Sequence, residues 1–182
     1  MLCVLQYKEI KRNIHVKLNT RRMVKRWAIF DLDNTIAKID KRLAKATVNG
    51  KLDYKLLHQE YLITQDTPMH DTIDLINSLA SFNVGIFILT GRFESTKRST
   101  EEWLTYWRVP YDKLVMKSYK DTYMKSNAWK EKQLLKFIEE NNITSEHIIL
   151  AADDHKPNQT MFESWGIPCL DPLYNLNTIA NG

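Results

Sequence analysis

The sequence predicts an α/β protein: one Rossmann-like parallel sheet of about five strands, helices on both faces, and only a minimal cap or flap. Three observations carry this reading. Short, near-continuous apolar runs recur along the 182 residues, and such runs suit strands buried on both faces. Segments with apolar residues at helical spacing separate most of them, and that alternation implies a parallel sheet wound in a right-handed sense. Three of the runs end in polar, chemistry-bearing residues, at the strand ends where open α/β folds bind ligands.

The elements follow in order. A first strand over 27–32 brings Asp31 and Asp33 to its end. Residues 36–66 then break strict alternation; they contain Lys38, Lys41, Arg42, Lys45, Lys51 and Lys55, with Asn49-Gly50 as a turn. About thirty residues are too few for a separate domain, so a small flap or hairpin is expected, with an ordinary exposed loop as the alternative. A helix starts with Asp71 as N-cap and continues through Ile73, Ile76, Leu79 and Ala80. A second strand, 84–90, runs into Thr90-Gly91-Arg92. Residues 95–107 place Trp103, Leu104 and Trp107 on one helical face. A third strand covers 113–116. The helix over 127–140 carries Lys130 near its start and Leu134, Leu135 and Ile138 on one face. A fourth strand, 147–152, leads into Asp153-Asp154. A short helix over 158–165 stops before Gly166, which can take the left-handed conformation past a helix end. A fifth strand, 167–170, closes the pattern. The Trp and Leu stripes read as core.

The length suits one domain with a real core. The net charge of +4 is unevenly placed: residues 1–26 hold eight Lys/Arg and one Glu, while the remainder holds 18 basic and 21 acidic groups. The expected organisation is a basic leader over 1–22 and the folded domain over 23–182. Two readings of the leader stand side by side. Its basic residues form an arm that meets nucleic acid phosphates, or Met23 is the natural start, since Met23-Val-Lys-Arg leads directly into the first strand. The two cysteines, Cys3 and Cys169, indicate no disulfide framework and a reducing, cytoplasmic setting. No apolar stretch approaches membrane-spanning length. None of the five glycines forms a Gly-x4-Gly-Lys-Ser/Thr phosphate loop, so a kinase of that kind is not supported.

The ordered set Asp31-Leu-Asp33-Asn-Thr35, Leu89-Thr90-Gly91-Arg92, Lys130 and Asp153-Asp154 resembles the four signature motifs of the haloacid dehalogenase-like phosphatases. The resemblance spans roughly residues 27–170. Within that superfamily it is most similar to the 3′-phosphatase domain of bacteriophage polynucleotide kinase-phosphatases, through Thr90-Gly91-Arg92 and the polar stretch after it, Trp103-Leu104, Val109-Pro110, Leu114-Val115-Met116-Lys117 and Asp153-Asp154. It implies a phosphomonoesterase acting on a phosphorylated nucleic acid end or a nucleotide.

The residue types fit that chemistry. Phosphate monoesters repel anionic nucleophiles, so a site needs a nucleophile, charge neutralisation and a proton donor for the leaving oxygen. Asp31 is the expected nucleophile, forming an aspartyl-phosphate, and Asp33 the expected acid and base. Mg2+ is the expected cofactor, held by Asp31, by Asp153 or Asp154, and by the Asp33 backbone carbonyl. Thr90 and Gly91 would bind phosphoryl oxygens, and Lys130 would pair with both phosphate and aspartate. Lys132 is a rival to Lys130 because helix register is open. Arg92 enters the substrate-binding set through the resemblance, and His155 is peripheral. Alternative readings are a free nucleotide phosphatase, a phospho-accepting receiver and a nucleic-acid-binding module. In a receiver the acidic pair comes first and the Lys last, the reverse of the order here. For a binding module, most basic charge lies in the leader and no binding motif is recognisable.

Overall fold

The computed structural model describes residues 24–173; the expected leader at 1–22, Met23 and residues 174–182 lie outside the described residues. In chain order the elements are β1 (Trp27–Phe30), β2 (Ala37–Lys38), α1 (Asp40–Ala46), β3 (Thr47–Val48), β4 (Lys51–Leu52), α2 (Tyr54–Leu57), α3 (Glu60–Ile63) and β5 (Thr67–Pro68). There follow α4 (His70–Ser81), β6 (Gly85–Phe93), α5 (Lys97–Tyr106), β7 (Lys113–Lys117), α6 (Ser126–Asn141), β8 (Ile148–Ala152), α7 (Lys156–Ser164) and β9 (Cys169–Leu170).

Five of the strands form one parallel sheet in the order β7-β6-β1-β8-β9. The chain winds outward from β1 to β7, then returns to the other side of β1 for β8. The winding direction therefore reverses between β1 and β8, and the carboxyl ends of those two strands flank the crevice that such a reversal opens.

Side-chain alternation builds a core on each face of this sheet. Trp27 and Ile29 of β1, with Phe87 and Leu89 of β6, point to the side covered by α6 and α7, where they meet Trp129, Leu134, Phe137, Met161 and Phe162. Ala28 and Phe30, with Ile86 and Ile88, point to the opposite side, against Ile73 and Ile76 of α4 and Trp103 and Leu104 of α5. Each fully buried Leu, Ile or Phe contributes about 1.5–3 kcal/mol. Having apolar partners on both faces is why the strands read as unbroken apolar runs.

The boundaries differ from the sequence expectation in instructive places. The α4 helix begins two residues early, with Met69 in place of Asp71 as N-cap and no side-chain cap. Asp71 therefore lies in the first turn, where its charge favours the positive end of the helix dipole. Leu135, expected on the buried face of α6, is 41% exposed. The β6 strand runs on to Phe93 through a register irregularity after Thr90. The β9 strand has only two residues, as suits a sheet edge.

Between β1 and α4 the chain builds a small folded insertion. β2 and β5 pair antiparallel and close its base, while β3 and β4 form a hairpin. Asn49 and Gly50 turn that hairpin with φ of 51° and 74°, a left-handed pair that Asn-Gly adopts readily. The Asp53 side chain caps α2 by accepting from the Lys55 and Leu56 N–H groups at 2.8 and 3.1 Å. Leu57, Leu62 and Ile63 anchor it inside. Among the described residues, no helix is long and apolar enough to cross a membrane.

One close approach within the sheet is testable. Gly85 pairs with Trp27, and a Cβ on Gly85 would fall 2.4–2.7 Å from the Trp27 ring. That ring is fixed edge-on against Phe137, with centroids 4.9 Å apart, so it cannot swing clear. Gly85→Ala is expected to lower stability by about 1–3 kcal/mol through overpacking, read as a lower urea midpoint.

Candidate active site

The last ladder bond of β1 places Asp31, whose N–H donates to the Ala152 carbonyl at 2.9 Å. The chain then turns sharply. Leu32 accepts from the N–H groups of Thr35, Ile36 and Ala37, and Asn34 takes a left-handed φ of 57°, which Asn tolerates better than most residues. Leaving the strand here sends the two carboxylates into different surroundings. Asp31 enters an acidic cluster and Asp33 enters a pair of arginines.

The cluster is held by Lys130, whose Nζ donates to Asp31 Oδ1 at 2.7 Å and to Asp153 Oδ2 at 2.6 Å. Lys130 is buried, as are both partners. Asp153 is fixed further by the Asn158 side-chain amide at 2.9 Å and by the His155 N–H at 3.0 Å. Carboxylate oxygens of Asp31, Asp153 and Asp154 lie within 4.8 Å of one another. Burial pushes the Asp31 carboxyl up to about 7, against the opposing charge of Lys130 and with the repulsion of Asp153. Burial opposes the charge on Lys130 too, but Asp31 and Asp153 outweigh it and raise its pKa. Burial and the charge of Asp153 raise Asp154. Three carboxylates against one ammonium leave a net negative charge that would repel a phosphate. All three offer hard oxygen atoms, so the donor set fits a cation such as Mg2+.

The second network was not legible in the sequence. Arg42 of α1, counted there among the basic charges of the 36–66 segment, is fully buried. Its guanidinium meets Asp33 Oδ1 at 2.5 Å, Asp66 at 3.1 Å and the Leu57 carbonyl at 3.2 Å. Arg92 meets the same two carboxylates, each at 2.6 Å. Asp66 also accepts from Trp103 Nε1 through its backbone carbonyl, at 2.9 Å. Arg92, expected to reach the substrate, is instead buried and occupied with Asp33 and Asp66. Burial alone would push Asp33 up, but Arg92 and Arg42 hold its carboxyl below the usual carboxylate range. Burial raises Asp66 against the same two arginines. The available signal was the four-residue spacing of Arg42 and Ala46, which puts both on one face of α1; the surrounding lysines masked it.

Between the networks lies a cavity of about 230 Å3, lined by Asp31, Asp33, Thr90, Gly91, Lys130, Asp153 and Asp154, among others. Thr90 closes the apolar part of β6, and its hydroxyl accepts from the Arg92 N–H at 3.2 Å. The helix register is now fixed: Lys130 faces this cavity, whereas Lys132 is 57% exposed and pairs with Asp121 at 3.1 Å. His155 lines the cavity edge and touches the cluster through its backbone. Cys169 is half-buried, and burial pushes its thiol up to about 12, which disfavours the nucleophilic thiolate.

His58 packs on Phe93 with ring centroids 4.4 Å apart, and its Nδ1 is buried without a partner. Burial lowers its pKa to about 4; Asp33 opposes this and Arg42 and Arg92 add to it. The unfolded chain therefore binds the proton more readily between about pH 4 and 6.5, so this stability is complete above pH 6.5 and lost as pH falls. With allowance for partial solvent contact, wild type should lose about 2 kcal/mol more than His58→Phe between pH 7 and about 4.5. Urea unfolding of both proteins at the two pH values measures the difference.

No protein-family model and no curated protein matches the chain. Solved structures do. A chain of the Pnkp1/Rnl/Hen1 complex is 20% identical with a TM-score of 0.64; the match covers 82% of this chain but 46% of that one, so this chain spans about half its length. A predicted phosphatase from Clostridium acetobutylicum is 13% identical with a TM-score of 0.60, covering 80% and 83% of the two chains. A haloacid dehalogenase-like family hydrolase from Streptococcus pneumoniae is 14% identical with a TM-score of 0.57, again covering 80% and 83%. With the reversal at β1/β8 and the acidic cluster at its mouth, these similarities identify the haloacid dehalogenase-like hydrolase fold.

Proposed function

We propose that the protein is a phosphomonoesterase that works through an aspartyl-phosphate on Asp31, and that its substrate is a 3′-phosphate at a polynucleotide end. The observation that carries the reading is Asp31 fixed at a strand end, lining a small cavity with Lys130 and Thr90. Asp31 attacks phosphorus and the alcohol leaves. Thr90 and the Gly91 backbone are placed at the cavity wall to bind phosphoryl oxygens, and Lys130 adds positive charge beside the nucleophile. Asp31, Asp153 and Asp154 would hold Mg2+, which when bound neutralises phosphoryl charge. Asp33 is the group left to move protons. Its two arginines favour the carboxylate, the form that takes a proton from the water that hydrolyses the intermediate. To protonate the leaving oxygen first, Asp33 must gain a proton when the anionic phosphate offsets the guanidinium charge.

The volume supports a large substrate. A cavity of about 230 Å3 admits a phosphoryl group, while sites that enclose whole small molecules run to about 300–1,000 Å3. The remainder of the ester must lie on the surface. The insertion exposes Lys41, Lys51 and Lys55, cations available to a polynucleotide backbone. One structural neighbour comes from an assembly described as an RNA repair complex, which is consistent with a nucleic acid end. A free nucleotide is the alternative substrate.

Asp31→Asn preserves shape and removes the nucleophile. It is expected to lower phosphate release at least a thousand-fold in a protein that still unfolds cooperatively, measured by phosphate release and urea denaturation; wild-type turnover in that variant would refute the assignment. On the substrate, about three lysine–phosphate contacts predict a roughly twentyfold fall in single-stranded oligonucleotide kcat/KM between about 50 and 200 mM salt. A nucleoside 3′-monophosphate should change much less, and equal salt slopes for the two would favour the free nucleotide.

A further inference from the structure

Past Arg92, β6 ends in Phe93, and the Phe93 ring stacks on Tyr119 with centroids 4.7 Å apart and planes 12° from parallel. Tyr119 is nonetheless 65% exposed. With one face on Phe93, its other face is open to solvent. Isolated exposed tyrosines are ordinary, but this one is held in place. It opens the turn Tyr119–Asp121 directly after β7. The turn is closed by Asp121 N–H donating to Ser118 O at 3.0 Å and Thr122 N–H donating to Tyr119 O at 3.3 Å. Lys117, the register partner of Phe93, ties the next segment back by donating to the Met124 carbonyl at 2.8 Å. The ring is therefore ordered before any ligand arrives, which lowers the entropy cost of stacking on it.

The stack also lies in the right place. Phe93 directly follows Arg92, which grips Asp33, and is three residues from Thr90 in the cavity wall. The cavity of about 230 Å3 is smaller than sites that enclose a whole small molecule, so part of an attached nucleoside rests outside it. Phe93 and Tyr119 lie at the carboxyl ends of β6 and β7, the sheet edge that also carries Asp31, Thr90 and Asp153. We propose that Tyr119, backed by Phe93, is the platform on which the nucleobase next to the scissile phosphate stacks; this rests on the reading of the site as one for nucleic acid or nucleotide phosphates. Stacking uses the π-face that every base has, so the platform favours a base over no base without choosing among the four.

The test compares two 5′-labelled oligonucleotides that end in a 3′-phosphate, one with a normal terminal nucleoside and one whose terminal residue is abasic. Binding is measured by fluorescence anisotropy in the Asp31→Asn background, and turnover in the wild-type enzyme. The expected result is about tenfold tighter binding and about tenfold higher kcat/KM for the base-bearing end. Tyr119→Ala should abolish both differences while leaving values for the abasic end unchanged, and Tyr119→Trp should restore them. Equal values for the two ends, or a preference that survives Tyr119→Ala, would overturn the proposal. A Tyr119-dependent binding preference without phosphate release by the wild type would uphold the platform and remove the phosphatase reading instead.

Discussion

One ammonium group holds the site together. The parallel sheet brings Asp31 and Asp153 to neighbouring strand ends, and buried carboxylates so close together are costly unless a cation compensates them. Lys130 supplies it, bridging both at 2.7 and 2.6 Å. The helix that delivers Lys130 is fixed by the opposite demand. Trp129, Leu134 and Phe137 on the same helix are packed into the core over β1 and β6. The position of the charge is thus set by apolar packing, and the charge in turn makes the acidic strand ends tolerable. Removing either partner would leave an uncompensated ion in a dry place, at a cost of about 3–5 kcal/mol.

The second network solves a different problem. Asp33 and Asp66 face Arg42 and Arg92, two charges against two, so the group is neutral as a whole and can be buried. Arginine suits this role because its planar fork meets two acceptors at once and stays charged. Arg42 and Asp66 come from the two ends of the insertion, whereas Arg92 belongs to β6. The insertion is therefore not merely laid over the sheet. Its folding supplies half of the environment that sets the protonation state of Asp33.

What could be read from the sequence divides along the same line. The Asp31/Asp33, Thr90/Gly91, Lys130 and Asp153/Asp154 groups were legible because each is a local pattern: an apolar run with a polar end, or a charged residue on an amphipathic helix. The α/β fold followed from the alternation of those runs with helical stripes. Arg42 and Asp66 were not legible, because their roles depend on contacts across 24 residues and with a different strand. A lysine-rich neighbourhood made Arg42 look like another solvated charge. Arg92 was noticed but assigned outward, because sequence spacing fixes where a residue starts and not where a long side chain ends. The cap of α4 was misplaced by two residues since Asp71 is equally at home within the first turn of the helix, where the dipole rewards it.

The β3–β4 hairpin stands apart from both networks. Its four-residue tip, Thr47 to Gly50, is exposed, while the base of the insertion is locked by β2–β5 pairing and by the buried Arg42 and Asp66. Anchors and tip are thus structurally separable. Chain can be added at Asn49–Gly50 without pulling on the residues that grip Asp33, and exposed loop tips are where added sequence is best tolerated. The hairpin is a graft point: a reporter or a binding module placed there would extend from the exposed tip while the residues that grip Asp33 keep their contacts.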